Sequence, residues 1–247
     1  MKNKDLKLSL IFTFIGLLAG FVTCLYQIST FDNTMKETIV DQLGSVNALI
    51  PISAVQTGIL VFISSFFGLK LARKSNLHLN FKFCKKGLLL AIVLGFITAF
   101  IISWSDKFIF AKYLPIQAQS YKFSITYFTS SILYGGIVEE LMLRLFIMSL
   151  IVVLIKKLFI KTKDNIPNLV YITAIIISAL LFAIGHLPAT AQLIGLSVPI
   201  VIRAIVLNGI GGLVFGYLYW KEGLAYSISA HMLTHIFNQL LIMPLLF

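Results

Sequence analysis

Apolar residues gather into seven long runs separated by short polar stretches, at positions 8–28, 49–71, 87–104, 124–155, 169–187, 198–220 and 224–247. Each holds on the order of 20 mostly apolar residues, the length a helix needs to cross a bilayer. The pattern predicts an all-α fold: a polytopic membrane helical bundle of seven to eight transmembrane helices, built as one integral membrane domain over 1–247. The first run follows Lys2, Lys4 and Lys7 and so resembles a signal peptide. It is too long for one and no small-residue cleavage site closes it, so it reads as an uncleaved first span. The fourth run is the longest. As one helix it would extend about 48 Å, beyond a hydrocarbon core of about 30 Å. Gly135–Gly136 is expected to break or kink it and add an eighth short element. Gly212 and Gly216 form a GxxxG pattern, which close helix packing explains.

Charge in the connecting stretches sets the orientation. Lys2, Lys4 and Lys7 precede the first run, and Asp32, Lys36, Glu37 and Asp41 follow it. The strongest basic run is Lys70, Arg73, Lys74, Lys82, Lys85 and Lys86; a second is Lys156, Lys157, Lys161 and Lys163. Asp106, Lys107, Lys112 and Lys122 depart mildly from the alternation. The positive-inside rule puts the N-terminus in the cytoplasm and, after seven crossings of the cell membrane, the C-terminus outside.

Composition agrees. Hydrophobic residues make up 59% and charged residues 12% of the chain, and mean hydropathy is +0.97. Those values exclude a soluble globular enzyme, a disordered chain and a disulfide scaffold. The net charge of +11 would suggest nucleic acid on a soluble protein. Here the bases flank apolar runs, so they read as topology signals and contacts to anionic membrane lipids, with no nucleic-acid partner. Cys24 and Cys84 are expected to be free thiols.

Few ionisable side chains fall inside the runs: Glu139, Glu140, Arg144, His186, Arg203, His231 and His235. Charges at bilayer depth are costly and mark functional positions. Glu140 and Arg144 are four apart and share a helix face, so they can pair. Glu139 is rotated away and left free, which suits a general base. Phe182 and His186 lie one turn apart before Pro188. His231, His235 and Asn238 recur at i, i+4 and i+7 on one face. The two histidines can bind a metal or donate to an oxyanion. Arg203 is read as snorkelling to a headgroup from its helix end.

The three clusters together resemble the CPBP family of intramembrane proteases, also called the CAAX-protease and bacteriocin-processing or Abi family. EExxxR is matched by Glu139, Glu140 and Arg144, and FxxxH by Phe182 and His186. HxxxN is matched by His231, with His235 in the asparagine slot. Leu145 stands where many relatives have glycine. The resemblance covers 124–247 and makes that half the catalytic one. It implies peptide-bond hydrolysis in the membrane, with Glu139 and His186 activating water, Glu140 and Arg144 bracing the site, and His231 and His235 stabilising the oxyanion. The family works either without metal or with one divalent metal. The chain has no HExxH zinc signature, but Glu139, His186, His231 and His235 are candidate ligands for a divalent metal such as zinc. Implied substrates are lipidated or leader-bearing peptides and proteins, in peptide, bacteriocin or pheromone maturation, immunity, or CAAX-type processing.

Two other classes compete: a proton-coupled transporter using the same carboxylates and histidines as a relay, and a non-catalytic membrane scaffold or immunity protein. One conflict follows from the helix boundaries. His231 lies about 10 Å, and His186 about 27 Å, from the cytoplasmic ends of their helices, too far apart for one site between upright helices.

Overall fold

A computed structural model describes residues 2–82, 84–115, 120–160 and 165–247. Lys161 and Lys163 of the second basic run, and the side chain of Lys2, lie outside the described residues. The described residues form helices and turns and no strands. The long elements are α1 (Lys2–Thr30), α3 (Leu49–Lys74), α4 (Lys85–Ser105), α7 (Asn168–Gly185), α9 (Val198–Lys221) and α10 (Leu224–Phe237). Between α4 and α7 runs one continuous helical segment: α5 (Ile125–Ser130), a π-wound stretch Ser131–Met148, and α6 (Ser149–Phe159). Two short helices, α2 (Asn33–Leu43) and α8 (Leu187–Ile194), have no buried residue. A π turn, Asn238–Ile242, and α11 (Met243–Leu246) extend α10.

Among the described residues, five helical stretches are long and apolar enough to cross a membrane: Asn3–Thr30, Val46–Lys74, Lys85–Tyr113, Asn168–Ile194 and Val198–Lys221. The other two expected spans, 124–155 and 224–247, fall on helical segments over 125–159 and 224–246, which carry the buried charges and His231. The core is mainly apolar but also buries Glu140, Arg144, Gln239 and several serines, while the outer face exposes large apolar residues such as Phe14, Ile59, Phe96, Leu180 and Val206. That apolar exterior fits lipid as the outer solvent, and the chain is a membrane protein of the all-α polytopic class.

Local chemistry explains the ends. Asp32 caps α2 by accepting from the Met35 N–H at 2.8 Å, and Gly44 closes it at φ 75°. The first turn of α10 leaves N–H groups without helical partners. Leu224 and Ala225 donate instead to the His78 and Leu79 carbonyls, both at 2.9 Å, so the α3–α4 loop caps the helix bearing His231. Asn76 and Asn80 bend that loop with φ of 55° and 44°, a region where asparagine is among the tolerated residues.

Two expectations change here. Gly135 and Gly136 neither break the helix nor create an eighth element. A Cβ on Gly136 would lie 2.3 Å from Met232 Cγ, and one on Gly135 would lie 2.6 Å from His235 Nε2. The pair exists so that α10 can approach. Arg203 does not snorkel: it makes a two-pronged pair with Asp106, at 2.5 and 2.6 Å, joining α9 to the end of α4. A nearby carboxylate outcompetes lipid for the guanidinium fork. The Gly212/Gly216 reading holds, since Cβ atoms there would meet Ala179 and Ile175 of α7 at 2.8 and 3.0 Å. Cys24 and Cys84 are free.

Candidate active site

Four elements meet around Glu140: the π-wound stretch, α7, α9 and α10. The Glu140 and Arg144 side chains have no solvent exposure. Glu140 Oε1 lies 3.3 Å from Arg144 Nη1 and accepts from His231 Nδ1 at 2.9 Å. Its other oxygen is 2.5 Å from Ser227 Oγ, which also lies 2.8 Å from the Phe215 carbonyl. The serine has one proton and serves one acceptor at a time. Arg144 Nη2 donates to the Gly212 carbonyl at 3.2 Å. Its guanidinium also covers the Phe182 ring at 4.6 Å and faces Phe215 at 5.5 Å. Glu140 thus ties the π-wound helix to α10, and Arg144 ties it to α7 and α9.

Glu139 occupies the opening beside this brace. Its side chain is 18% exposed. Oε1 lies 3.9 Å from His186 Nε2, and Oε2 lies 3.9 Å from His231 Nε2. Both gaps exceed a direct hydrogen bond and suit a bridging water. The partners assign the tautomers. His186 Nδ1 is 2.8 Å from the Phe182 carbonyl, an acceptor, so the proton sits on Nδ1. His231 Nδ1 likewise donates to Glu140. In the neutral state both imidazoles therefore turn a bare Nε2 toward Glu139.

The depth conflict is eased by side-chain direction. Helical side chains lean toward the N-terminal end of their helix. The His186 ring folds back one turn onto Phe182 O, and the Phe182 ring reaches to 5.8 Å from the His231 ring. The Glu139 side chain bridges what remains.

His235 is the outlying member. Its ring stacks on His231, with centroids 5.0 Å apart, and its Nε2 is buried against Gly135 without a partner. Among the described residues no hydrogen bond or ion pair joins His235 to Glu139. Asn238, the last of the i, i+4, i+7 stripe, accepts from Ser103 of α4 and is not part of the cluster. Two contributors carried no sequence signal of their own. Phe215 of α9 stacks on His231 at 4.2 Å. Ser227 lies one turn before His231, and that i, i+4 spacing was the only clue to it.

Two imidazoles and a carboxylate are the right donor types for a catalytic zinc. Glu139, His186 and His231 face one opening, but among the described residues no three His, Cys, Asp or Glu side chains are grouped so that they could hold a metal ion, so the placement does not fit one.

Comparisons with curated proteins and with solved structures gave no match. A family model described as Rce1-like, Type II CAAX prenyl endopeptidase Rce1-like, matches residues 121–237. That segment carries Glu139, Glu140, Arg144, His186, His231 and His235, and over it the chain is similar to the CAAX-protease (CPBP) family.

Proposed function

We propose that the protein is an intramembrane endopeptidase that hydrolyses a peptide bond in a membrane-associated peptide or protein, with Glu139 as general base. The observation that carries this reading is the Glu139 carboxylate set between two imidazole nitrogens at 3.9 Å. Three acceptors face one another there, and a water molecule serves two of them at a time, giving one proton toward Glu139 and the other toward an Nε2. Glu139 takes the proton as the water oxygen bonds to the scissile carbonyl carbon. The C–N bond then breaks, and the proton passes to the leaving amine. On its way from Glu139 to the amine the proton rests on His231 Nε2, which then donates to the tetrahedral oxyanion while Nδ1–H stays on Glu140. Glu140 and Arg144 act as positioning residues: they hold His231 and the two helices in register. His235 backs His231 through ring stacking. The donor set and the family match make a lipidated or leader-bearing chain at the cell membrane the substrate class to test first.

The test is to incubate purified wild type and Glu139→Ala with farnesylated CAAX peptides and leader-bearing peptides in ¹⁸O-water. We expect new C-termini carrying ¹⁸O from wild type only, and the same products in the presence of a zinc chelator. Products from Glu139→Ala at the wild-type rate would overturn the assignment of the base. Loss of all products on chelation would overturn the metal-free reading.

A further inference from the structure

The α3 helix presents one polar side chain to lipid. Val46–Lys74 is the least buried of the five candidate spans, at 17% against 33–44% for the others. Away from the span ends, Gln56 is the only exposed amide or charged side chain in these spans among the described residues. Among the described residues it makes no hydrogen bond. The 29-residue span is about 43 Å long, so a centred hydrocarbon slab of about 30 Å reaches to within about 7 Å of its ends. Gln56 sits about 15 Å from Val46, well inside the slab. A primary amide in hydrocarbon without a partner costs several kcal/mol.

Its neighbours are ordered. Ile52, Gln56, Ile59 and Ile63 are all exposed and follow one another at four, three and four residues, the alternating d and a positions of a heptad. Val55 and Leu60 flank them and line the same apolar groove, of about 660 Å³. The opposite face of α3 packs against the π-wound helix, where a Cβ on Gly68 would meet Leu145 at 2.8 Å. Among the described residues the exposed seam therefore has no partner.

We infer that the Ile52–Gln56–Ile59–Ile63 seam of α3 is a parallel homodimer interface, with Gln56 of one copy hydrogen-bonded to Gln56 of the other. The occupant follows from chemistry and topology. Two copies insert with the same orientation, so their α3 helices run parallel, and an a-position residue in a parallel pair faces its own counterpart. A primary amide is self-complementary, with both donors and an acceptor. A two-fold axis beside α3 therefore satisfies both amides at once. A single polar a residue also fixes register, as buried amides do in soluble coiled coils.

The inference does not rest on the protease reading, and its test needs no substrate. Ile59→Cys, in a Cys24→Ser/Cys84→Ser background, is oxidised in its native membranes beside a control with Ile92→Cys on the lipid face of α4. We expect a disulfide dimer of twice the chain mass from position 59 and none from position 92. In liposomes, dye-labelled protein diluted across lipid ratios should show two-copy energy transfer. Gln56→Leu should weaken that dimer roughly 3- to 30-fold, the range for one to two interhelical hydrogen bonds. Gln56→Asn should retain most of the affinity. Gln56 is exposed, so each variant should keep the wild-type unfolding midpoint. A monomer at every lipid ratio, a dimer indifferent to Gln56→Leu, or a position-59 adduct of a different mass would each overturn the inference. The last result would assign the seam to another membrane protein.

Discussion

Replacing Glu140 by glutamine keeps the side chain's size but removes the charge that Arg144 faces. Glu140 is the only carboxylate within 4 Å of that guanidinium among the described residues. The group is fully buried, and its Nε and Nη1 already lack hydrogen-bond partners. Removing one member of a buried ion pair costs about 3–5 kcal/mol, because the other charge stays dry and uncompensated. Arg144 retains the Gly212 carbonyl and the Phe182 ring face. A desolvated cation–ring contact is worth about 2 kcal/mol, which places the loss near the low end, about 3 kcal/mol. Glu140→Gln/Arg144→Met removes both charges and should recover most of it, leaving about 1 kcal/mol for the weakened His231 and Ser227 hydrogen bonds. Equilibrium unfolding by SDS in mixed micelles measures both variants. A Glu140→Gln protein within about 0.5 kcal/mol of wild type would refute the reasoning, since surface-like sites alone tolerate such changes at that level. So would a double variant no more stable than the single.

Further outcomes follow from the same contacts. Gly135→Ala drives a methyl into His235 Nε2 and should destabilise by about 1–3 kcal/mol, the usual cost of overpacking. The shorter His235→Asn side chain in that background should recover part of the loss in a thermal melt. His235→Asn alone, which restores the usual family residue, should keep most of the cleavage activity. A topology reporter fused after Lys86 should read cytoplasmic and one fused after Phe247 external, and a cytoplasmic C-terminus would show an even number of crossings.

The helical, membrane-spanning class was legible because hydrophobic run length is a local property of the chain. Glu140–Arg144 was legible for the same reason, since i, i+4 spacing fixes contact within one helix. What crosses between helices was not. Asp106 and Arg203 are far apart in sequence, and only the packing of α4 against α9 reveals that they pair. Phe215 looks like any apolar residue of a span until α9 brings it against His231. Gly135–Gly136 has two readings in sequence, flexibility or close approach, and only the position of Met232 and His235 decides between them. The short helices α2 and α8 escaped notice because neither buries a residue and neither has the length of a span. The apparent depth mismatch of His186 and His231 came from placing residues by their backbone. The imidazole and carboxylate side chains, not the helix axes, close the site.

The central claim is that Glu139 activates the attacking water while contributing little to the fold. On any peptide that wild type cleaves, the turnover of Glu139→Gln relative to wild type tests it most directly, read beside the unfolding midpoint of each protein. The account predicts a fall of roughly 10²–10⁴-fold, the range for a general base, with the midpoint unchanged because Glu139 is partly exposed and meets both imidazoles only at 3.9 Å. Equal turnover, or a loss of activity that tracks a loss of folded protein, would contradict it.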